Sequence, residues 1–283
     1  MNKQNIIIAG SGFAGVWAAA AAARAVALAG QEDRVGITVV SPAPRMVIRP
    51  RLYEAVIENM EPDVLPLFDA LGVRHMAGRV VEIRAEAHQV VVDTEGTRLP
   101  LSYDRFVLAA GSQLFAPPVP GLAEHALNVD QIEGARAHPL GAQLPGRRDE
   151  VGRVFADAFL QAEGAADILV TGDMAHALTD DLGNVALMSC QHALSLGRVA
   201  GYNAAAGLLG LPLHPYSQPK YVTCLDLGPW GALYTEGWDR QVCLTREEGK
   251  ALKREINTRW IYPPAPDREA VFAVANPDFV IVP

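Results

Sequence analysis

The sequence predicts an α/β fold organised around a parallel β-sheet. Near the N-terminus, an apolar run over residues 5–9 precedes a glycine-rich turn, an Ala-rich stretch over residues 14–29 and a second apolar run over residues 35–40. This order is typical of a β-strand, a crossover helix and a parallel β-strand. Two later apolar runs, followed by Ser112 and Asp173, end in small residues and predict further buried strands of the same sheet.

The composition is that of a globular protein. The chain has 283 residues, of which 50% are hydrophobic and 20% are charged, so it is long enough to bury a core and is not disordered. Lys and Arg number 24 against 32 Asp and Glu, which gives a net charge of −8. Binding to nucleic acid requires a concentrated positive face, so we expect no nucleic-acid partner.

The cysteines and the apolar N-terminal stretch indicate the cellular compartment in which the protein would reside. Cys190, Cys224 and Cys243 make neither a disulfide framework nor a spaced set of metal ligands, so no metal site is predicted. The apolar stretch over residues 6–28 is interrupted by glycines and by Arg24, which argues against a signal peptide or a membrane span. We therefore expect a cytoplasmic protein.

The turn after the first predicted strand, Gly-Ser-Gly-Phe-Ala-Gly, has the spacing GxGxxG. Between a strand and a helix, this spacing predicts a site for the pyrophosphate of a dinucleotide. Gly10 would permit the tight turn, Gly12 the approach of the pyrophosphate, and Gly15 the packing of the helix on the strand. Phe13 and Ala14 would begin the helix, whose first N–H groups would bind the phosphates.

The position that usually binds the adenosine ribose departs from the expected pattern. The second predicted strand ends in Ser41, where an Asp or Glu would accept hydrogen bonds from the ribose hydroxyls. Ser41 can still make a neutral hydrogen bond, and Arg45 lies nearby in the sequence. We therefore expect Ser41 at the adenosine end of the cofactor site.

Small residues follow both later strands: Ala110, Gly111 and Ser112 after one, and Gly172 and Asp173 after the other. Together with the glycine turn, these segments resemble the flavoproteins that have two dinucleotide-binding domains. The resemblance implies a Rossmann-like domain that binds FAD, with the Asp173 carboxylate on a hydroxyl of the FAD ribitol. An ordinary helix N-cap is the alternative role of Asp173, and the two roles are compatible.

Residues 49–54 and two C-terminal segments, 221–238 and 257–264, resemble type II NADH:quinone oxidoreductases and their NADH-dehydrogenase-like relatives. The resemblance implies that residues 49–54 lie beside the isoalloxazine ring. It also adds candidate cofactor-binding residues from this segment and from a predicted hairpin: Arg49, Pro50, Leu52 and Val81.

The segment from Met188 to Ala193 begins a predicted helix and resembles the motif of that family whose helix N-terminus points at the flavin. A positive helix end there would stabilise negative charge on the reduced flavin. Gln191 and His192 are therefore candidates for both cofactor binding and catalysis. Cys190 is a third catalytic candidate, because a helix N-terminus lowers the pKa of a thiol. Plain packing is the alternative for His192 and for Cys190.

The nicotinamide-binding domain that the family inserts between the two halves of its FAD domain has no counterpart in the sequence. Such a domain needs on the order of 100 residues. Residues 130–133 would lead into it, and residues 149–154 resemble the segment that follows it. Between them, residues 134–148 are rich in Pro and Gly, which is typical of a linker, and no second glycine fingerprint is present.

The sequence thus predicts four regions. They are the first half of the FAD-binding domain (1–133), a short linker in place of the nicotinamide domain (134–150), the second half of the FAD-binding domain (151–222) and a C-terminal extension (223–283).

Two further features concern shape and partners. Residues 80–99 alternate like a β-hairpin, which predicts a small antiparallel β element. Residues 246–260 predict an amphipathic helix with a basic side, which leaves weak peripheral contact with a membrane open. A homodimer that covers an exposed flavin is also left open.

The expected function is that of an FAD-binding flavoprotein with weak or no oxidation of NADH. Orienting a hydride donor supplies much of the rate of hydride transfer, and the domain that would orient it is missing. A small-molecule electron donor or acceptor would be the partner. Two alternatives remain: an oxidase or oxidoreductase that acts on a different small substrate at the uncovered flavin face, and a protein that binds FAD without a redox role.

Overall fold

The computed structural model describes residues 3–54, 58–114 and 135–280. Residues 130–133, where a missing domain would begin, lie outside the described residues. Within them, the strands are β1 (Gln4–Ala9), β2 (Val35–Ser41), β3 (Arg74–Ala77), β4 (Arg79–Arg84), β5 (Gln89–Thr94), β6 (Thr97–Ser102), β7 (Arg105–Leu108), β8 (Ser112–Leu114), β9 (Ala135–Ala137), β10 (Val154–Phe155), β11 (Gln161–Ala162), β12 (Ala165–Val170), β13 (Ala175–His176), β14 (Val222–Asp226), β15 (Ala232–Glu236) and β16 (Gln241–Leu244). The α-helices are α1 (Phe13–Leu28), α2 (Leu65–Leu71), α3 (Cys190–Leu209), α4 (Arg246–Glu255) and α5 (Arg268–Val274).

A six-stranded sheet carries the glycine turn and both later motifs. Its strand order is β11-β12-β7-β1-β2-β3, and β1 pairs in parallel with β2 on one side and with β7 on the other. β12 extends the parallel set beyond β7, whereas β11 pairs with β12 in the antiparallel direction. Because the carboxyl ends of parallel strands meet at one edge, the turns after β1, β7 and β12 lie side by side. The predicted α/β fold with a parallel sheet is confirmed.

The central strands are inaccessible to solvent on both faces, which explains their uninterrupted apolar sequence. Ile6, Ile8, Phe106, Val107 and Ile168 are all 0% exposed. A strand buried on both faces has no polar side to alternate with its apolar one.

Helices α1 and α3 lie in direct backbone contact. A Cβ atom added at Gly197 would be 2.5 Å from the carbonyl oxygen of Ala14, and one added at Gly201 would be 2.0 Å from the carbonyl oxygen of Ala18. Neither distance leaves room for a side chain. The Ala-rich composition of α1 therefore reflects packing, since small residues on both helices allow the two backbones to approach closely.

Helix α5 is hydrogen-bonded to this helix pair through two arginine side chains. Arg24 of α1 donates from Nε to the carbonyl oxygen of Phe272 at 2.9 Å, and Arg198 of α3 donates from Nε to that of Val274 at 2.6 Å. Both carbonyls lie at the C-terminal end of α5, where the helix dipole favours a positive charge. The guanidinium of Arg198 also lies over the Trp17 ring, and burial lowers its pKa to about 9.

The predicted antiparallel element has one strand more than a hairpin. β4 pairs with β5, and β5 pairs with β6. The pairing of β4 shifts by one residue between Val80 and Glu82. This shift leaves Val81 as a bulge residue, with backbone groups outside the regular ladder.

The segment with the composition of a linker is packed into the fold over its described part, residues 135–148. Leu140 and Leu144 are each 5% exposed and belong to the main core. A Cβ atom at Gly141 would lie 2.8 Å from Cε of Met174. The prolines and glycines here therefore serve a 3₁₀ turn, Pro139–Gln143, and close packing rather than a loose connection.

The C-terminal region is a three-stranded antiparallel sheet, β14-β15-β16, against which α4 packs. Two lysines of α4 contact the rest of the chain, whereas Arg254 is exposed. Nζ of Lys250 lies 2.7 Å from a carboxylate oxygen of Asp226, and the Lys253 ammonium lies over the Tyr53 ring. These cations are thus engaged within the chain. Among the described residues, no helix combines the length and the apolar character that crossing a membrane requires.

Candidate cofactor site

The three glycines between β1 and α1 differ in the space around them. Gly10 has a φ of +114°, and a Cβ atom there would be 2.4 Å from the carbonyl oxygen of Ala109. A Cβ atom at Gly15 would be 1.9 Å from the carbonyl oxygen of Gly10. At Gly12, in contrast, a Cβ atom would meet no described atom within 4 Å. Gly12 is therefore where a ligand can approach the backbone.

The N-terminus of α1 borders this open space. Gly12 is the N-cap residue, and no side chain of the described residues caps the helix. The first N–H groups of an α-helix have no intrahelical partner, so those of the helix that begins with Phe13 and Ala14 are available to a ligand. Together with the helix dipole, they favour an anion such as a phosphate.

Three of the candidate residues, from distant parts of the sequence, form one hydrogen-bonded group. The Ser112 hydroxyl donates to Oδ2 of Asp173 at 2.6 Å. Nη1 of Arg49 lies 3.3 Å from both the carbonyl and the hydroxyl oxygen of Ser112 and donates to them. The Asp173 carboxylate is thereby held in place at the edge of the sheet, where it can accept hydrogen bonds from hydroxyl groups.

Gly172 places Asp173 next to the start of α1. Its φ is +61°, and a Cβ atom there would be 2.8 Å from Cβ of Ala14. Asp173 itself lies within a 3₁₀ turn, Gly172–Met174, whose N-cap is Thr171. The alternative role of Asp173 as a helix N-cap is therefore wrong.

The other candidates around this edge occupy turns. Ala110 and Gly111 connect β7 to β8, and the Gly111 carbonyl oxygen accepts the backbone N–H of His138 at 3.0 Å. Pro50 lies within a 3₁₀ turn, Arg49–Arg51. Leu52 follows that turn and is 46% exposed.

At the end of β2, the predicted adenosine-binding Ser41 is only 3% exposed. Its hydroxyl donates to the carbonyl oxygen of Ala43 at 2.7 Å, and its Oγ lies 2.9 Å from Nε2 of His75. His75 is absent from the sequence-based candidates, because its short strand β3 has no apolar run that would have revealed it. The pairing of β3 with β2 is what brings the ring to Ser41.

The bulge residue Val81 has an unexpected partner. Its carbonyl oxygen accepts a hydrogen bond from Nε2 of Gln143 at 3.2 Å. The Oε1 atom of the same glutamine accepts the backbone N–H of Ile83 at 2.7 Å. The side-chain amide of Gln143 thus binds the edge of β4 in the manner of a neighbouring strand.

The N-terminus of α3 presents an amide without partners. The helix begins at Cys190, and the Ser189 hydroxyl caps it by accepting the backbone N–H of His192 at 3.4 Å. Both polar side-chain atoms of Gln191, Nε2 and Oε1, are buried and have no hydrogen-bond partner among the described residues. Buried polar groups are normally satisfied, so the Gln191 amide is an exception among the described residues.

His192, the next residue of α3, is 0% exposed. Its Nδ1 lies 2.9 Å from the Ser189 hydroxyl, and its ring packs against those of Tyr221 and Trp238. Burial, with a smaller effect from the positive charge of Arg153, lowers the pKa of His192 to about 4. The ring is therefore neutral at pH 7.

The Cys190 thiol differs from the sequence-based prediction. The helix N-terminus was expected to lower the pKa of its thiol, but burial raises that pKa above its usual value. Desolvation of the thiolate outweighs the favourable helix end. Cys190 is therefore a neutral thiol packed against the hydrophobic core rather than an activated nucleophile.

The fold and these residues define a flavoprotein oxidoreductase with a Rossmann-like domain. The family model of the pyridine nucleotide-disulphide oxidoreductases matches residues 4–144. An NADH dehydrogenase-like protein from Mycobacterium tuberculosis strain CDC 1551 / Oshkosh is 30% identical over 384 residues, with 92% of this chain and 94% of the relative covered. The corresponding protein of strain H37Rv gives the same identity and coverage. The chain belongs to the family of NADH dehydrogenase-like, FAD-dependent pyridine nucleotide oxidoreductases.

Solved structures are similar in fold. The sulfide:quinone oxidoreductase from Aquifex aeolicus has a TM-score of 0.69 at 11% identity, with 97% of this chain and 92% of that chain covered. NDH2 from Plasmodium falciparum in complex with NADH has a TM-score of 0.64 at 9% identity, with 97% of each chain covered. At such low identity, these similarities concern the fold alone.

Proposed function

We propose that this protein binds FAD and works as a flavin-dependent oxidoreductase without a nicotinamide-binding domain of its own. The observation that carries the proposal is the open space at Gly12 beside the N-terminus of α1, which no side chain of the described residues caps. A helix N-terminus with open backbone in front of it suits the pyrophosphate of a dinucleotide. When bound, FAD supplies reversible acceptance of a hydride.

The chain's own residues would bind and orient this cofactor. The open backbone at Gly12 and the first N–H groups of α1 suit a pyrophosphate. The Asp173 carboxylate, held by Ser112, suits a hydroxyl of the ribitol. The N-terminus of α3, at Gln191, would stabilise negative charge on the reduced ring. The buried, neutral His192 would exclude water behind it.

The lengths of the chain and of its relatives support the absence of a nicotinamide domain. The alignment with the Mycobacterium tuberculosis relative runs over 384 positions, whereas 92% of 283 residues is about 260. About 124 positions of that alignment therefore have no residue of this chain, which is the size of one dinucleotide-binding domain. Residues 115–134 are too few for such a domain, and residues 135–148 are packed against the core.

A chain of this kind gives NADH no pyrophosphate or adenosine site of its own. The nicotinamide would reach the flavin by collision, and the orientation that accelerates hydride transfer would be lost. We therefore expect the rate of flavin reduction to rise linearly with the NADH concentration. A smaller donor that has the nicotinamide ring but lacks the nucleotide should compete well with NADH.

The test begins with the visible spectrum and the released cofactor of the purified protein, which should be yellow and contain FAD rather than FMN. Anaerobic stopped-flow reduction is then measured at increasing NADH, with Gly12→Val protein as the flavin-free blank. A linear, unsaturated rate supports the proposal. Saturation at micromolar NADH would mean that a nicotinamide site exists, and a colourless protein that takes up no FAD would overturn the cofactor assignment.

A further inference from the structure

The cofactor site lacks the acid that normally accepts hydrogen bonds from the adenosine ribose. Ser41 stands at the end of β2, where that acid would be. A hydroxyl carries one proton, and that of Ser41 is already donated to the carbonyl oxygen of Ala43 at 2.7 Å. With 3% of the residue exposed, Ser41 has little surface left for a ligand.

His75 lies beside Ser41 and close to the glycine turn. Its strand β3 pairs with β2, so that His75 stands opposite Val39 in the register. Its Nε2 is 2.9 Å from Oγ of Ser41. The hydroxyl of Ser11, inside the glycine turn, lies 3.2 Å from the carbonyl oxygen of Ala43 that Ser41 also binds. A continuous set of contacts therefore links the pyrophosphate turn to the His75 ring.

The hydrogen bonds of Ser41 determine which nitrogen of the His75 ring carries the proton. The Ser41 hydroxyl already donates its one proton to the Ala43 carbonyl oxygen, so in the short contact between Ser41 and His75 Nε2–H donates and Oγ accepts. A neutral imidazole that carries its proton on Nε2 has an acceptor at Nδ1. The half-buried His75 thus offers the acceptor that Ser41 does not.

We propose that Nδ1 of His75 replaces the missing acid and accepts a hydrogen bond from the 2′-hydroxyl of the adenosine ribose of FAD. The inference rests on the proposed function, because it requires the adenosine half of FAD to lie at the end of β2. It assigns a ribose-binding role to a neutral side chain on the neighbouring strand.

Two features keep the ring suited to this role. The Phe68 ring lies nearly parallel to it, with an interplanar angle of 14° and 6.5 Å between the ring centroids. Burial lowers the pKa of His75, against the smaller opposing effects of a hydrogen bond with the backbone of Ser41 and of the Asp63 charge. A neutral ring keeps Nδ1 free of a proton, and so keeps it an acceptor.

The test compares ADP and 2′-deoxy-ADP as competitors of FAD for the apoprotein. His75→Phe keeps a ring against Phe68 but removes both nitrogens. His75→Asn keeps an oxygen acceptor near the position of Nδ1. His214→Phe, beyond the C-terminal end of α3, is the matched control. The thermal midpoint of each apoprotein is measured alongside, so that a general loss of stability is recognised.

The wild-type protein and His214→Phe should bind ADP about three- to tenfold more tightly than 2′-deoxy-ADP, as expected for one neutral hydrogen bond. His75→Phe should bind both nucleotides equally, at the wild-type affinity for 2′-deoxy-ADP, and His75→Asn should retain part of the preference. A purely structural role of His75 would weaken both nucleotides together and would overturn the proposal. So would a wild-type protein that binds FAD but does not distinguish the two nucleotides, or from which neither displaces FAD. Failure to bind FAD at all would instead refute the proposed function.

Discussion

The side-chain amide of Gln143 is hydrogen-bonded to the backbone of Val81, with 3.2 Å between Nε2 and the carbonyl oxygen. Because the same amide also accepts the N–H of Ile83 at 2.7 Å, it closes the irregular edge of β4 at its bulge. The segment that contains Gln143 is thus a structural part of the domain. A connection that merely rejoined two halves of a chain would need no such contact.

Replacing this glutamine should therefore destabilise the fold. We expect Gln143→Leu to lower the free energy of unfolding by about 1–2 kcal/mol, because the N–H of Ile83 and the carbonyl of Val81 lose their partner. Urea denaturation measures the change, with Gln113→Leu in the exposed part of β8 as the control. Equal stability of the two variants would show that residues 139–144 contribute no more than a loose loop.

Two substitutions in the glycine turn should distinguish an effect on cofactor binding from an effect on folding. Gly12→Val should fold, since a Cβ atom there meets no described atom within 4 Å, but its side chain would fill the space that a pyrophosphate needs. Gly15→Ala should instead prevent folding, because its Cβ would lie 1.9 Å from a backbone oxygen of Gly10. Circular dichroism and flavin content measure the two effects. Normal flavin content in folded Gly12→Val would contradict the assigned site.

Asp173 should contribute to affinity without being indispensable. Asp173→Ala removes the carboxylate to which Ser112 donates and leaves a cofactor hydroxyl unpaired, which should weaken FAD binding by about 1–3 kcal/mol. Titration of the apoprotein with FAD measures the dissociation constant. Asp69→Ala, on the exposed side of α2, is the matched control and should leave it unchanged. An identical constant in Asp173→Ala would remove this residue from the site.

His192 should make stability depend on pH. Its pKa is about 4 in the folded chain against an ordinary value of 6.5, so the unfolded chain binds more protons between these values. The stabilisation is full above pH 6.5 and is lost as the pH falls towards 4, up to about 3 kcal/mol. Urea denaturation of wild type and His192→Leu at pH 7.5 and pH 5 measures it. The difference in stability between these two pH values should be smaller in the variant. Burial also lowers the pKa values of His75 and His138. Because both residues are present in the two proteins, they contribute equally to the pH dependence of stability in each.

The sequence predicts those parts of the fold and site that depend on local pattern. The spacing of Gly10, Gly12 and Gly15 is enough to place the turn between a strand and a helix, because each glycine acts within a few residues of its own position. The parallel strands follow from continuous apolar runs in the same way. These elements make up the main sheet and the helix pair that supports the site.

Contacts between distant residues could not be predicted. His75 meets Ser41 across 34 residues of sequence, and Gln143 meets Val81 across 62. Neither pair has a local signature, since each depends on strand pairing or on packing of the whole domain. Cys190 illustrates the same limit: the helix N-terminus is visible in the sequence, whereas the burial that raises the pKa of its thiol is not.

The contact of Gly201 with Ala18 has a consequence for motion. Two helices whose backbones touch at this residue and at Gly197 can neither slide nor rotate against each other without a steric clash. The N-terminus of α1 and the N-terminus of α3 are the two ends at which a dinucleotide would be held, so the span between them has one fixed length. Loading and release of a dinucleotide would therefore leave this span unchanged, and any opening of the site would come from segments outside the helix pair.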